Sequence, residues 1–201
     1  MKSLYRFIVK PLTSRYENTK SINGDELVLN TNIEDHRFVS KRAIVISTPK
    51  AYNTDIKEGD EVVVHHNVFR RFYDMRGEEN NSASYFKEDM FFCDITQLYL
   101  YKNKDIYRTN LNYCFIKPLK NKDNFSIDKE LPLKGIVKYS NKQLESVGIS
   151  EGDLITFTPN SEFEFWFGSE RLYCMKSNDI ALTHEYEGNE EEYNPSWANR
   201  S

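Results

Sequence analysis

Four short blocks of residues occur twice along this chain in the same order, and any fold has to accommodate both copies. Phe7 Ile8 Val9 Lys10 Pro11 Leu12 returns as Cys114 Phe115 Ile116 Lys117 Pro118 Leu119, and Ala43 Ile44 Val45 Ile46 Ser47 as Gly135 Ile136 Val137 Lys138 Tyr139 Ser140. Residues 56–64, with Glu58 Gly59 Asp60 ahead of Glu61 Val62 Val63 Val64, answer residues 149–157, with Glu151 Gly152 Asp153 ahead of Leu154 Ile155 Thr156 Phe157. Phe92 Cys93 followed by Gln97 Leu98 Tyr99 Leu100 is matched with Tyr173 Cys174 followed by Asp179 Ile180 Ala181 Leu182. Ordered self-similarity of this kind marks a duplicated structural unit.

Each block is short, rich in β-branched and aromatic residues, and stopped by Pro, Gly or Asp, which are the marks of a strand with its breaker. Runs at 90–94 and 97–101 read as further strands. The chain is therefore expected to be all-β, built as two tandem small β-barrels. Residues 1–107 form the first, 108–186 the second, and 187–201 an acidic and aromatic tail. The tail holds Tyr193, Pro195 and Trp197 and is expected to fray. With 201 residues, 39% of them hydrophobic and 14% aromatic, each half has enough apolar matter for a core.

The copies differ by two insertions. Lys10 and Ala43 stand 33 residues apart but Lys117 and Gly135 only 18, so the first copy carries the excess within a long polar segment, 13–42. That segment holds Asn23 Gly24 Asp25 Glu26 Leu27 Val28 Leu29 Asn30, an apolar triplet among residues that favour turns. A second insertion, 65–89, begins His65 His66 Asn67 Val68 Phe69 Arg70 Arg71 Phe72 Tyr73.

In these motifs each unit resembles the GroES-type co-chaperonins, small β-barrels that form the lid of the GroEL-type folding chamber. The carriers are the opening strand Arg6 Phe7 Ile8 Val9 Lys10, the loop with a small apolar triplet after glycine, and the Glu58 Gly59 Asp60 turn into Glu61 Val62 Val63 Val64. Residues 97–100 and 179–182 resemble the closing strand. The resemblance implies a co-chaperonin whose contact with a GroEL-type chaperonin is Leu27, Val28 and Leu29, assisting ATP-dependent folding with no cofactor of its own. It also implies a ring-shaped homo-oligomer. Only a short turn fits between Ser47 and Lys57 or between Ser140 and Glu151, so the hairpin that roofs the family's dome is missing from both units. The shortened loop from Leu119 to Leu133 lacks an apolar triplet.

Burying three such side chains in a partner contributes about 1.5–3 kcal/mol each, and ordering the loop costs about 2–5 kcal/mol. One loop alone then binds weakly, and several held in a ring bind together at high effective concentration.

Other chemistry has little to stand on. Net charge is −4, from 27 basic and 31 acidic residues of interspersed sign, which gives no field for a polyanion, so neither nucleic acid nor membrane is expected as a partner. Cys93, Cys114 and Cys174 form no CxxC pair and suit a reducing compartment, and no apolar leader or span is visible, so a cytoplasmic location is expected. His65 and His66, read as neighbours on a strand, point to opposite faces and chelate poorly, even with Cys93 nearby, so no metal is expected. No nucleophile motif or phosphate-binding loop occurs, and Glu162 and Glu164 read as solvated carboxylates, so no catalytic residue is assigned. The alternative function is a structural assembly protein of a virion or scaffold. A third reading is a nucleic-acid-binding barrel using Phe69, Arg70, Arg71, Phe72, Tyr73 and Arg76.

Overall fold

The computed structural model describes residues 2–16, 19–22, 25–28, 33–123, 129–167, 170–186 and 188–194, with the main chain alone for 19–22 and 25–28. The chain divides into two compact units, Met1–Tyr107 and Arg108–Ser201.

Unit 1 runs β1 (Phe7–Pro11), β2 (Thr19–Ile22), β3 (Asp25–Val28), β4 (Arg42–Ser47), β5 (Glu61–Val64), β6 (Arg71–Tyr73), β7 (Glu79–Asn81), β8 (Tyr85–Lys87), β9 (Met90–Cys93), β10 (Leu98–Asn103) and β11 (Ile106–Thr109). The division between units falls inside β11. Unit 2 continues with β12 (Tyr113–Lys120), β13 (Glu130–Tyr139), a one-turn helix α1 (Lys142–Ser146), β14 (Leu154–Phe157), β15 (Phe163–Phe167), β16 (Glu170–Lys176) and β17 (Ile180–His184). The protein is all-β, with α1 and single 3-10 turns the exceptions among the described residues.

The seven strands of the larger sheet lie in the order β11-β10-β5-β4-β1-β9-β8, and the six of unit 2 in the order β15-β16-β12-β13-β14-β17. Read from the opposite edge, the second order is the first without β11: β10, β5, β4, β1, β9 and β8 answer β17, β14, β13, β12, β16 and β15. The registers agree as well. Val9 faces Val45 and Pro11 faces Ala43, as Ile116 faces Val137 and Pro118 faces Gly135. Both are open sheets, with no pairing that joins their edges among the described residues.

Side chains alternate across each strand, as in β4, where Ala43, Val45 and Ser47 are buried and their neighbours are not. The core of unit 1 gathers Phe7, Val9, Val45, Val62, Phe69 and Phe91, and that of unit 2 gathers Cys114, Ile116, Val137, Ile155, Phe157 and Met175. The Gly-Asp turns are built identically. Gly59 (φ 91°) and Gly152 (φ 96°) take the left-handed conformation that a side chain resists. Each donates its N–H to the preceding strand, Gly59 to Val45 O at 2.8 Å and Gly152 to Val137 O at 2.8 Å. Asp60 and Asp153 close the turns by accepting from Lys57 N and Ser150 N, both at 2.8 Å.

The sequence match of the cysteine block slips by one residue. Ile8 faces Phe92 and Phe7 faces Cys93, whereas Phe115 faces Cys174 and Cys114 faces Met175, so Cys93 corresponds to Met175. The turns that follow confirm the shift, since Asp94 N donates to Gln97 Oε1 at 3.0 Å and Lys176 N to Asp179 Oδ2 at 3.1 Å. Sequence reading also expected only a short turn where α1 lies. Its cap is Asn141, whose Oδ1 accepts from Leu144 N at 3.0 Å while its amide donates to Tyr113 O and Ser177 Oγ, tying the helix to its sheet.

Candidate functional site

The extra residues of the first copy fold locally. β2 and β3 form a two-stranded sheet of their own, with Thr19 opposite Val28, Lys20 opposite Leu27, and Ile22 opposite Asp25. Asn23 and Gly24 separate them, the dipeptide best suited to a two-residue hairpin connection. Two of the expected contact residues, Leu27 and Val28, thus sit on the second strand of this hairpin, and Leu29 lies outside the described residues. In the second copy the interval closes much sooner, because Lys120 and Glu130 are already register partners.

The segment that contains the hairpin is closed at its ends by a neck. Tyr16 and Val39 form an antiparallel bridge, and Ser40 N donates to Arg15 O at 3.0 Å. The buried Tyr16 hydroxyl donates to Ile33 O at 2.8 Å and accepts from Arg71 N at 2.7 Å, and its ring lies 4.7 Å beneath the Arg71 guanidinium. Arg15 donates to Phe69 O and Arg70 O and to Asn81 Oδ1, and Tyr73 N donates to Glu34 Oε1 at 3.2 Å. Ile33 and Phe38, on the returning arm, pack on the unit 1 core. Arg15 loses hydration here, which lowers its pKa, yet guanidinium stays charged at physiological pH.

The second insertion is therefore the other wall of the neck. Arg70 and Arg71 are tied into it: Arg70 O accepts from Arg15, while Arg71 binds Glu79 at 2.7 Å and stacks on Tyr16. Phe69 is fully buried, and Phe72 and Tyr73 remain partly exposed on β6, which pairs with β7. This leaves the basic and aromatic cluster committed largely to internal contacts. No sequence signal near Arg15 or Tyr16 announces the neck, because its other wall, Phe69 to Arg71, lies 54 to 55 residues away.

The histidines are not on a strand. His65 caps a 3-10 turn at His66–Val68, accepting from Asn67 N at 3.0 Å through Nδ1. The rings of His65 and His66 lie 4.2 Å apart, and His36 of the returning arm stands 5.2 Å from His66, so the expectation of opposite faces is corrected. Burial lowers the His65 pKa, with Lys41 adding to the effect. Burial followed by the charges of His65, His36, Lys41 and Arg70 brings His66 to about 4. Both are neutral at pH 7, so two uncharged rings stand beside His36 of the arm.

Among the described residues no group of three or more His, Cys, Asp or Glu is placed to hold a metal ion. The three thiols are free and buried; burial raises the pKa of Cys93 and Cys174 and pushes Cys114 up to about 12, which suppresses the reactive thiolate. Glu164 belongs to a network in unit 2: Arg171 binds Glu164 at 3.2 Å and Glu130 at 2.5 Å, and Glu130 also accepts from the Tyr173 hydroxyl. No helix of the described residues is long and apolar enough to cross a membrane.

No protein-family model matches the chain, and a search of curated proteins finds no match to it.

Proposed function

We propose that the chain is a co-chaperonin of two tandem GroES-like modules, binding a GroEL-type chaperonin through Leu27, Val28 and Leu29 of the first. The observation that carries this reading is the hairpin of β2 and β3, separate from the main sheet and held at its base by the Tyr16–Val39 bridge. It stands where the second copy has a much shorter interval, between the paired residues Lys120 and Glu130. The shared strand order and the paired Gly-Asp turns support a duplicated module. The position of β8, β11, β15 and β17 at the sheet edges suits assembly into a ring, because the edge of a sheet is a template for pairing. Chaperonin contact then depends on several hairpins acting together, each weak by itself.

Co-sedimentation of the full chain with a GroEL-type chaperonin, with and without ATP, is the test. Nucleotide-dependent binding that disappears in L27S/V28S/L29S, with the circular dichroism of the variant unchanged, is expected. A chain that ignores the chaperonin, or whose binding survives that triple change, defeats the proposal and favours a structural assembly role.

A further inference from the structure

The acidic tail, expected to fray, lies along unit 2. β12 pairs with β16 only through Tyr113 to Ile116, and beyond that point the tail takes over. Leu119 bridges Glu192 in the antiparallel sense, Lys120 N donates to Glu191 O at 2.8 Å, and Tyr193 N donates to Pro118 O at 2.8 Å. Three lysines meet three successive glutamates: Lys117 binds Glu192, Lys120 binds Glu191 at 2.7 Å, and Lys122 binds Glu190 at 3.1 Å. The Tyr193 ring lies 5.8 Å from the Arg171 guanidinium.

This is strand addition with a charge code: main-chain bonds accept any extended chain, and the lysine row selects an acidic one. The first unit carries only part of this code: Lys10 stands where unit 2 has Lys117 and Arg15 where it has Lys122, but Arg15 is bound to Phe69 O, Arg70 O and Asn81. β1 likewise leaves β9 after Val9, but by register Thr13 stands where unit 2 has Lys120, and Asp89 where it has Arg171. The complete row of three is thus found in the second unit, with Thr13 interrupting it in the first. Two of the three ion pairs are shallow, for Lys120, Lys122 and Glu191 are more than half exposed, and exposed pairs contribute little and weaken with salt; Lys117 is more sheltered but shared between Glu192 and Glu170.

We propose that Lys117, Lys120, Lys122 and the free side of β12 form a docking groove for an extended acidic segment of a partner protein, with the chain's own residues 190–193 as a resident, displaceable occupant. Its own tail occupies the groove at the high local concentration of a tethered segment. A partner therefore enters only by presenting more acidic contacts or several copies. The groove is independent of the chaperonin contact, which belongs to unit 1.

The test uses the full chain carrying E190Q/E191Q/E192Q, which loosens the tail without removing it, and a fluorescent synthetic peptide, Gly-Glu-Glu-Glu-Tyr-Gly. The loosened chain is expected to bind the peptide in one saturable site, at least about tenfold more tightly than the natural chain does, a gap of about 1.4 kcal/mol. Adding K117E/K120E should abolish binding, and a Gln-for-Glu peptide should not bind. A chain truncated after Tyr186 provides the second measurement and should behave like the loosened chain if its melting is cooperative. Absence of peptide binding by both altered chains, equal binding by the natural chain, or indifference to K117E/K120E overturns the proposal. Concentration-dependent self-association of the natural chain that K117E/K120E abolishes also overturns it, by assigning the groove to the tail of a second copy.

Discussion

Tyr16→Phe isolates the hydroxyl that closes the neck. The phenyl ring keeps its place in the core and its stacking under Arg71. Two hydrogen bonds vanish, one to Ile33 O at 2.8 Å and one from Arg71 N at 2.7 Å. Each is worth about 1 kcal/mol net, and main-chain groups left at a part-buried site add desolvation cost, so the loss should be about 2 kcal/mol. For a unit of roughly 100 residues that is about 10 °C in the melting temperature of unit 1. Urea denaturation followed by tryptophan-independent circular dichroism gives the free energy, and amide exchange gives the location, with Arg71 N–H expected to lose protection first. A loss under about 0.5 kcal/mol, with Arg71 protection unchanged, would refute the neck as a stabilising clamp.

Gly135→Ala should destabilise unit 2 by about 1–3 kcal/mol in a urea titration, because an added Cβ meets Ile116 Cγ2 at 2.4 Å and Lys117 O at 2.6 Å. The corresponding Ala43 of unit 1 is fully buried, and Ala43→Gly there should cost about 0.5–1 kcal/mol or more through lost packing and a freer unfolded chain. His66 binds its proton less readily when folded, at about 4 against an ordinary 6.5. The unfolded chain therefore holds more protons between those values, so unit 1 stability should rise as pH goes from 4 to 6.5 and be lost in the reverse direction, by about 1 kcal/mol after allowance for solvent screening. His66→Gln should flatten that slope in urea titrations taken across the range. Glu191, whose pKa is lowered chiefly by its hydrogen bond from Lys120, keeps the tail seated above the ordinary carboxylate range and should let go as pH falls below it, seen as faster exchange of the Lys120 amide.

Local chemistry made the sheet strands legible. The blocks around Val9, Val45 and Val62 and their counterparts announce strands because β-branched residues alternate between breakers, and the Gly-Asp turns are visible because only glycine tolerates their φ. The hairpin was half legible. Asn23–Gly24 marks a turn, but the strands beside it are polar, and the pattern that distinguishes strand from loop is weak there. Arg15, Tyr16, the histidine stack and the seated tail were illegible for a common reason: each includes a partner distant in sequence, such as Arg71 for Tyr16, His36 for His66 and Lys120 for Glu191, that shares no pattern with it. Exposed acidic residues look alike whether solvated or opposite lysines, and Glu190 to Glu192 differ from an idle tail only through where β12 happens to end.

The Tyr16–Val39 bridge gives the segment between them a particular standing. Because its two ends are fixed to each other between β1 and β4, a change in the length or content of residues 17–32 should leave the alignment of those two strands in place. The first unit is thereby suited to carry an exchangeable cassette, a segment that a lineage, or an engineer, can rewrite while inheriting the scaffold.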